Sequence, residues 1–374
     1  MKLVVFGLAV SSSWGNGHAT LWRGLCRALA ARGHDVAFFE RDVPYYAGHR
    51  DVRDLPGGGR LYLYETWEGV CDSAVRELSD ADAAMVTSFC PDALAAEALM
   101  LESCEGLHIF YDLDTPITLD RIGRGLRVDY LGPDLLANYD LALSYTGGES
   151  LRWMHEQLGA RQAAPLYGSV DPDAHQPQPA SHDYHADLSY IGTYSADRQD
   201  RLDDLFLEPA RRLPSRRFTL AGSQYPDDFS WPPNVFYKRH LEPARHPVFY
   251  SSSRLTLNVT RRAMAETGYC PSGRLFEAAA CGAPLLSDSW TGLDAFFEPG
   301  REILVASTTD EALDAIARPD GELARMAARA RDRVLAEHTA AHRAQELEEI
   351  LRGIDVGHHS GRGRRHANST AGVL

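Results

Sequence analysis

"GYCPSGRLFEAAACGAPLLSD", residues 268–288, decides how this chain is read. Pro271 fixes the backbone ahead of a helix, and Ser272 stands where a capping side chain belongs. Arg274 opens the helix and Glu277 follows about one turn later. The Ala278–Cys281 run has side chains small enough for the helix to lie close against a sheet. Gly282 ends it, and Pro284 leads into a short apolar strand that stops at Asp288. The first turn of a helix presents unpaired N–H groups and the positive end of the helix dipole. Gly273 and Arg274 therefore form an anion seat, to which Arg274 adds a guanidinium. A carboxylate at Glu277 can accept two hydrogen bonds from a vicinal diol such as a nucleotide ribose. Together these residues suit a nucleoside diphosphate; the plainer alternative is an ordinary Arg–Glu pair on one helix.

Around this stretch, strand-like and helix-like patterns alternate in two blocks, which predicts parallel sheets with crossover helices. In the first block, residues 1–166, strands are expected at Leu3–Val10, Val36–Glu40, Ala84–Thr87, Leu107–Tyr111 and Leu141–Tyr145, with helices such as Leu21–Arg32 and Asp92–Cys104 between them. "DLPGGGR", residues 54–60, is a turn cluster. Residues 167–187 are rich in Pro, Asp and His without periodicity and read as a linker. Residues 188–335 restart the alternation, with strands at Leu188–Gly192, Arg217–Ala221, Val235–Tyr237, Leu255–Val259, Pro284–Ser287 and Ile303–Val305. A helical stretch covers Leu323–Gly353, and residues 354–374 lack apolar periodicity and are expected to be disordered.

The 374 residues suit two domains at roughly 100–200 residues each. A formal net charge of -14 and a pI near 5.5 disfavour nucleic acid and anionic lipid as partners, while leaving room for a local basic pocket that takes one small anionic ligand. The six cysteines contain no Cys-x-x-Cys pair, so neither zinc nor dithiol chemistry is indicated, and buried reduced thiols in a cytoplasmic protein are expected. "MKLVVFGLAVSSS" imitates a short signal peptide but reads better as a buried first strand, and no stretch is long and apolar enough to span a bilayer.

Ligands of such sheets bind beyond the carboxyl ends of the strands, so the residues found there are the candidates. After the first strand, Gly15, Asn16 and Gly17 allow close backbone approach to an anion at the next helix, and His18 starts that helix as a functional or merely packing histidine. This is not the dinucleotide fingerprint, because Thr20 stands where its third glycine belongs; Glu40 at the end of the second strand keeps that reading barely alive. Asp112 and Asp114 alternate at the end of another strand, so both are expected to face the cleft unless one caps the following turn. In the second block Gly192, Arg198, Gly222, Asn258 and Arg261 gather at strand ends.

"GRLFEAAACGAPLLSD" resembles the donor-binding helix of GT-B glycosyltransferases. "YGSVDPDAHQP", from Tyr167, resembles the turn between the two domains of family 4 enzymes, and "WGNGHATLWRGLCRALAARGHDVAFFERD" their opening loop and helix. More narrowly, "LNVTRRAM", "GLDAFFEPGREI", "YIGTYSADRQDRL" and "FYDLDTP" are similar to the CgeB-like group. The resemblance runs over nearly all of residues 1–352. It implies a GT-B fold of two Rossmann-like parallel-sheet domains, a last helix returning to the N-terminal domain (336–353), and sugar transfer from a nucleoside-diphosphate sugar, a UDP-sugar being favoured, without metal or further cofactor. The donor would be held by Gly15, Asn16, Gly17, Gly192, Arg198, Gly222, Asn258, Arg261, Tyr269, Ser272, Gly273, Arg274 and Glu277. One departure matters: family 4 enzymes carry a glutamate where this chain has Tyr269, which leaves the donor sugar and the stereochemistry open.

Arginines and a helix N-terminus would carry the charge that develops on the leaving diphosphate. If the transfer inverts, a base is needed, with Asp114 first and His18 and Asp112 behind it. Three other readings stay open: an epimerase or hydrolase on the same fold, a non-catalytic nucleotide-sugar binder, and a nicotinamide oxidoreductase. The acceptor is a glycan, lipid-linked molecule, protein or small natural product.

Overall fold

A computed structural model describes residues 1–354; the tail expected to be disordered lies, but for its first residue, outside them. Thirteen strands form two sheets in which every pairing is parallel. The first sheet contains β1 (Lys2–Gly7), β2 (Asp35–Arg41), β3 (Arg60–Tyr64), β4 (Ala83–Thr87), β5 (Leu107–Asp112), β6 (Leu141–Ser144) and β7 (Ala163–Pro165). The second contains β8 (Leu188–Ile191), β9 (Phe218–Ala221), β10 (Val235–Lys238), β11 (Thr256–Asn258), β12 (Leu285–Ser287) and β13 (Leu304–Val305).

Strand order is β3-β2-β1-β4-β5-β6-β7 in one sheet and β10-β9-β8-β11-β12-β13 in the other. Both reverse direction beside their first strand, at β1/β4 and at β8/β11, and such switch points open a crevice at the strand carboxyl ends. The centre of β1, Leu3–Phe6, is fully buried. That is why its run of apolar residues is continuous rather than alternating: helices cover both faces of a parallel sheet.

Phe6, Phe39 and Met100 pack on one face of the first sheet; Val5, Trp22 and Phe38 pack on the other. Ala344, Leu347 and Leu351 of the last helix, Ala340–Arg352, join that second cluster. Ion pairs bind this helix to the N-terminal domain as well: Glu348 meets Arg32 Nε at 2.5 Å and His34 Nε2 at 2.7 Å.

The expected helical stretch Leu323–Gly353, with its last helix placed at 336–353, divides into Asp320–Glu337 and Ala340–Arg352. Thr339 and His342 form a capping box that starts the second helix. Two strands had no expected counterpart: β3, whose residues are half exposed, and β7, three residues ending in a proline. All six cysteines are free thiols. Among the described residues no helix is long and apolar enough to cross a membrane.

Candidate functional site

The two sheets turn their strand ends toward one cleft of about 510 Å³. Its C-terminal wall is built from residues just past β8, β9 and β11 and from the first turn of the helix Gly273–Ala280. Gly192 and Gly222 are required by this convergence: a Cβ on Gly222 would lie 1.9 Å from the Gly192 carbonyl oxygen, and one on Gly192 would lie 2.3 Å from the Tyr190 hydroxyl.

Arg274 is held by acceptors that carry no full charge. Its Nε donates to the Ile191 carbonyl, its Nη1 donates to Asn258 Oδ1 at 2.6 Å, and its guanidinium lies 4.9 Å from the Tyr190 ring centre. Arg198 donates from Nη1 to the Tyr190 hydroxyl at 3.0 Å, while its buried Nε has no partner. Burial would raise the Tyr190 phenol, but the two arginines outweigh it and lower its pKa. Among the described residues neither Arg198 nor Arg274 has a carboxylate within salt-bridge distance. Two guanidiniums beside a helix N-terminus, neither in a salt bridge, make a site for an anion.

One turn along the same helix stands Glu277, nearly buried. Thr20, from the opposite domain, donates its hydroxyl to Glu277 Oε1 at 3.0 Å. His175 Nε2 lies 3.8 Å from Oε1, and His246 Nδ1 lies 3.6 Å from Oε2. Burial alone would raise the carboxyl; the two imidazoles and the Thr20 hydroxyl outweigh it and hold the pKa down to about 2. The carboxylate is therefore ionised, while burial pushes the His175 imidazole down and favours its neutral form. Neither ring nitrogen of His175 makes a hydrogen bond. His175, His246 and Glu277 also form the one group of metal-ligand type found among the described residues, their ligand atoms within 4.8 Å of one another. Tetrahedral zinc spaces its ligand atoms more closely, about 3.3–3.6 Å apart, given bonds of about 2.0–2.2 Å. The arrangement therefore suits a hydrogen-bonding diol at least as well as an ion.

Across the cleft, His18 Nε2 lies 4.0 Å from Asp114 Oδ2. Asp114 precedes the helix Thr115–Gly123, yet its side chain makes no capping bond. The carboxylate is left to the cleft. Asn16 braces the glycine loop, donating to the Ala9 carbonyl at 2.8 Å and accepting from His18 N at 3.1 Å.

The cleft brings together Gly15, Asn16, Gly17, His18, Asp114, Gly192, Arg198, Gly222, Arg261, Ser272, Gly273, Arg274 and Glu277. Asn258 stands behind it, holding Arg274. Two further expected members are also off its surface. Asp112 is fully buried, and its carboxyl accepts from Asp114 N at 3.0 Å; burial pushes its pKa up to about 7. The strand ends at Asp112, so the alternation that would have paired it with Asp114 stops there. Tyr269 (φ 47°) turns its ring to Gly148 and Gly292, where an added Cβ would lie 2.7 and 2.6 Å from ring carbons. It packs domain against domain instead of lining the donor seat. Ser272 occupies the N-cap but makes no side-chain cap bond.

Glu40 also has another use. Its carboxylate accepts Val10 N at 2.7 Å, Ser11 N at 2.9 Å and Ser11 Oγ at 2.5 Å. It braces its own loop and is fully buried, with three of its about four acceptor sites taken. Sequence reasoning missed Thr20, Tyr190, His175 and His246. Tyr190 lies inside a strand and the histidines in a linker and a short helix, with no motif to mark them.

Known proteins share this fold. Residues 198–349 match the family described as Glycosyl transferase-like. Among solved structures, the chain is similar to sucrose-phosphate synthase from Thermosynechococcus elongatus, with a TM-score of 0.65 and 14% identity over 94% of this chain and 98% of that one. It is similar to an alpha-glucosyltransferase in complex with UDP, with a TM-score of 0.68 and 11% identity over 94% and 100%. It is also similar to Anabaena Alr3699/HepE in complex with UDP-glucose, with a TM-score of 0.67 and 13% identity over 94% and 99%. The fold is GT-B. No curated protein matches the chain. In this GT-B chain the two switch points face each other across the cleft, with the unpaired arginines on one wall and Asp114 on the other.

Proposed function

We propose that the protein moves a sugar from a nucleoside-diphosphate sugar, with a UDP-sugar favoured, to an acceptor hydroxyl without a metal ion, and that it belongs with the CgeB-like glycosyltransferases. On this reading residues 1–166 carry the acceptor and 188–335 the donor, with 167–187 as the linker. The observation that carries it is the helix Gly273–Ala280. Unpaired Arg274 and Arg198 stand at its start for a diphosphate, and ionised Glu277 stands one turn on for the ribose. In the transfer, the acceptor oxygen bonds to the anomeric carbon and the bond from that carbon to the diphosphate oxygen breaks. The electron pair leaves with the diphosphate, where the arginines and the helix N–H groups stabilise it. If configuration inverts, Asp114 takes the acceptor proton with His18 beside it; if it is retained, the two orient the acceptor.

UDP-glucose mixed with the protein and an acceptor panel tests this: a glycosylated product that needs both the acceptor and the protein supports transfer. Glucose released equally without acceptor, or an epimerised donor, would replace transfer by the hydrolase or epimerase reading. Tyr269, standing where family 4 enzymes have a glutamate, favours a second reading as a binder without turnover, which predicts UDP-glucose binding with no product.

A further inference from the structure

Phe89 stands two residues past the end of β4 and is one of four non-glycine residues with positive φ among the described residues, at 62°. Such a conformation is costly for a bulky side chain and persists only where neighbours enforce it. Here they do. Ser88 N donates to the Tyr111 carbonyl at 3.0 Å, and Cys90 N donates to the Thr87 carbonyl at 3.3 Å. Leu113 N donates to Ser88 Oγ at 2.9 Å. Buried packing would explain a constrained phenylalanine, but Phe89 remains 36% exposed and belongs to no core cluster. Its ring lines the cleft and is backed by Tyr130, centre to centre 5.0 Å. One residue further along each strand end, beyond Ser88 and Leu113, Phe89 and Asp114 both line the cleft.

Charge separates the two walls. The arginines that line the cleft, Arg198, Arg261 and Arg274, all come from the C-terminal domain. The N-terminal wall contributes no lysine or arginine, and its one carboxylate is Asp114. A phosphorylated or otherwise anionic acceptor would find no lysine or arginine there and would face Asp114. The same N-terminal wall includes Leu113 and Tyr46.

We propose that Phe89 is the floor of an acceptor subsite for an uncharged, hydroxyl-bearing molecule with a flat apolar face, of phenolic aglycone type. The ring would stack on that face and set its hydroxyl beside Asp114 and His18. The proposal rests on the sugar-transfer reading, and its test is independent of the donor seat.

The variant is Phe89→Gly, because glycine takes a positive φ without strain. The probe is 4-methylumbelliferone, followed by its fluorescence in the presence of saturating UDP, with methyl β-glucoside as the sugar comparison. The wild type is expected to bind the probe and not the glucoside. Phe89→Gly should weaken the probe at least tenfold, keep the UDP thermal shift unchanged and melt no lower than the wild type; Phe89→Tyr should retain the probe. Equal probe binding in wild type and Phe89→Gly, no probe binding by the wild type, or preference for the glucoside would each overturn the proposal. So would a melting temperature several degrees lower in Phe89→Gly, which would make the ring structural. Loss of the UDP shift in the wild type would instead strike the donor reading, whatever the probe does.

Discussion

Glu277→Ala removes the carboxylate assigned to the ribose and leaves the helix N-terminus intact. A hydrogen bond to a charged group is worth about 1.5–3 kcal/mol, so UDP affinity should fall by that amount while the melting temperature of the free protein changes little. Unchanged affinity in calorimetry would remove the ribose assignment. Arg274→Ala should weaken UDP far more than uridine; an equal loss would make Arg274 a strut for Asn258 and Ile191. Asp114→Asn should lower turnover about 10²–10⁴-fold if Asp114 is the base and spare UDP affinity. Asp112→Asn should leave turnover nearly intact, since that group is buried behind the lip. At this scale the sequence was legible where a helix start announces itself: Arg274 and Glu277 stand out of a run of small apolar residues. Tyr190 was not, because a buried tyrosine in a strand looks like core until the two arginines on it are seen.

Among the elements, the contact between Tyr269 and two glycine turns is the clearest case of a local sequence change with a distant structural partner. Gly148 has φ 60° and ψ -134°, a region closed to other residues, and its hydrogen faces the Tyr269 ring. Gly148→Ala should therefore destabilise the fold by at least about 1–2 kcal/mol, the scale of left-handed strain in a residue with a Cβ, read as a lower midpoint in urea. A midpoint equal to wild type would mean the two domains do not depend on this contact. Eleven strands were visible from apolar runs. Edge strands β3 and β7 were hidden because an edge strand is half solvated and tolerates polar residues or proline. The break at His338 falls close to the expected start of the last helix at 336, but the run up to Arg352 has no glycine or proline to mark it, and only the Thr339–His342 cap divides it.

For the molecule as a whole, the return of the last helix to the N-terminal domain is a point of pH sensitivity. Arg343 donates to the carbonyls of Tyr167 and Gly168 and, at 2.9 Å, to His338 Nδ1. Burial, with the charges of Arg343 and Arg333, pushes the His338 imidazole from 6.5 down to about 3. The unfolded chain thus takes up a proton in this window that the folded chain refuses. Stability contributed by the neutral ring is full above about pH 6.5 and is lost as the pH falls toward 3, at a slope of roughly 1.4 kcal/mol per pH unit. His338→Gln, which keeps an acceptor for Arg343, should flatten the fall in melting temperature between pH 6.5 and 4.5; an identical slope would assign that fall to other groups. The two-domain plan itself was readable from the restarted alternation of strands and helices. The closeness of Thr20 to Glu277 was not, because 257 residues separate them in the chain.

The central claim is a nucleoside-diphosphate seat on the helix Gly273–Ala280 that needs no metal, and a thermal-shift titration with UDP, GDP, TDP, ADP and NAD, each with and without EDTA, tests it most directly. A ligand that binds only the folded chain raises its melting temperature. The account predicts stabilisation by one nucleoside diphosphate, UDP first, unchanged by EDTA. Stabilisation by NAD alone, by none of the diphosphates, or only in the absence of EDTA would contradict it, the last by giving His175, His246 and Glu277 to a metal ion.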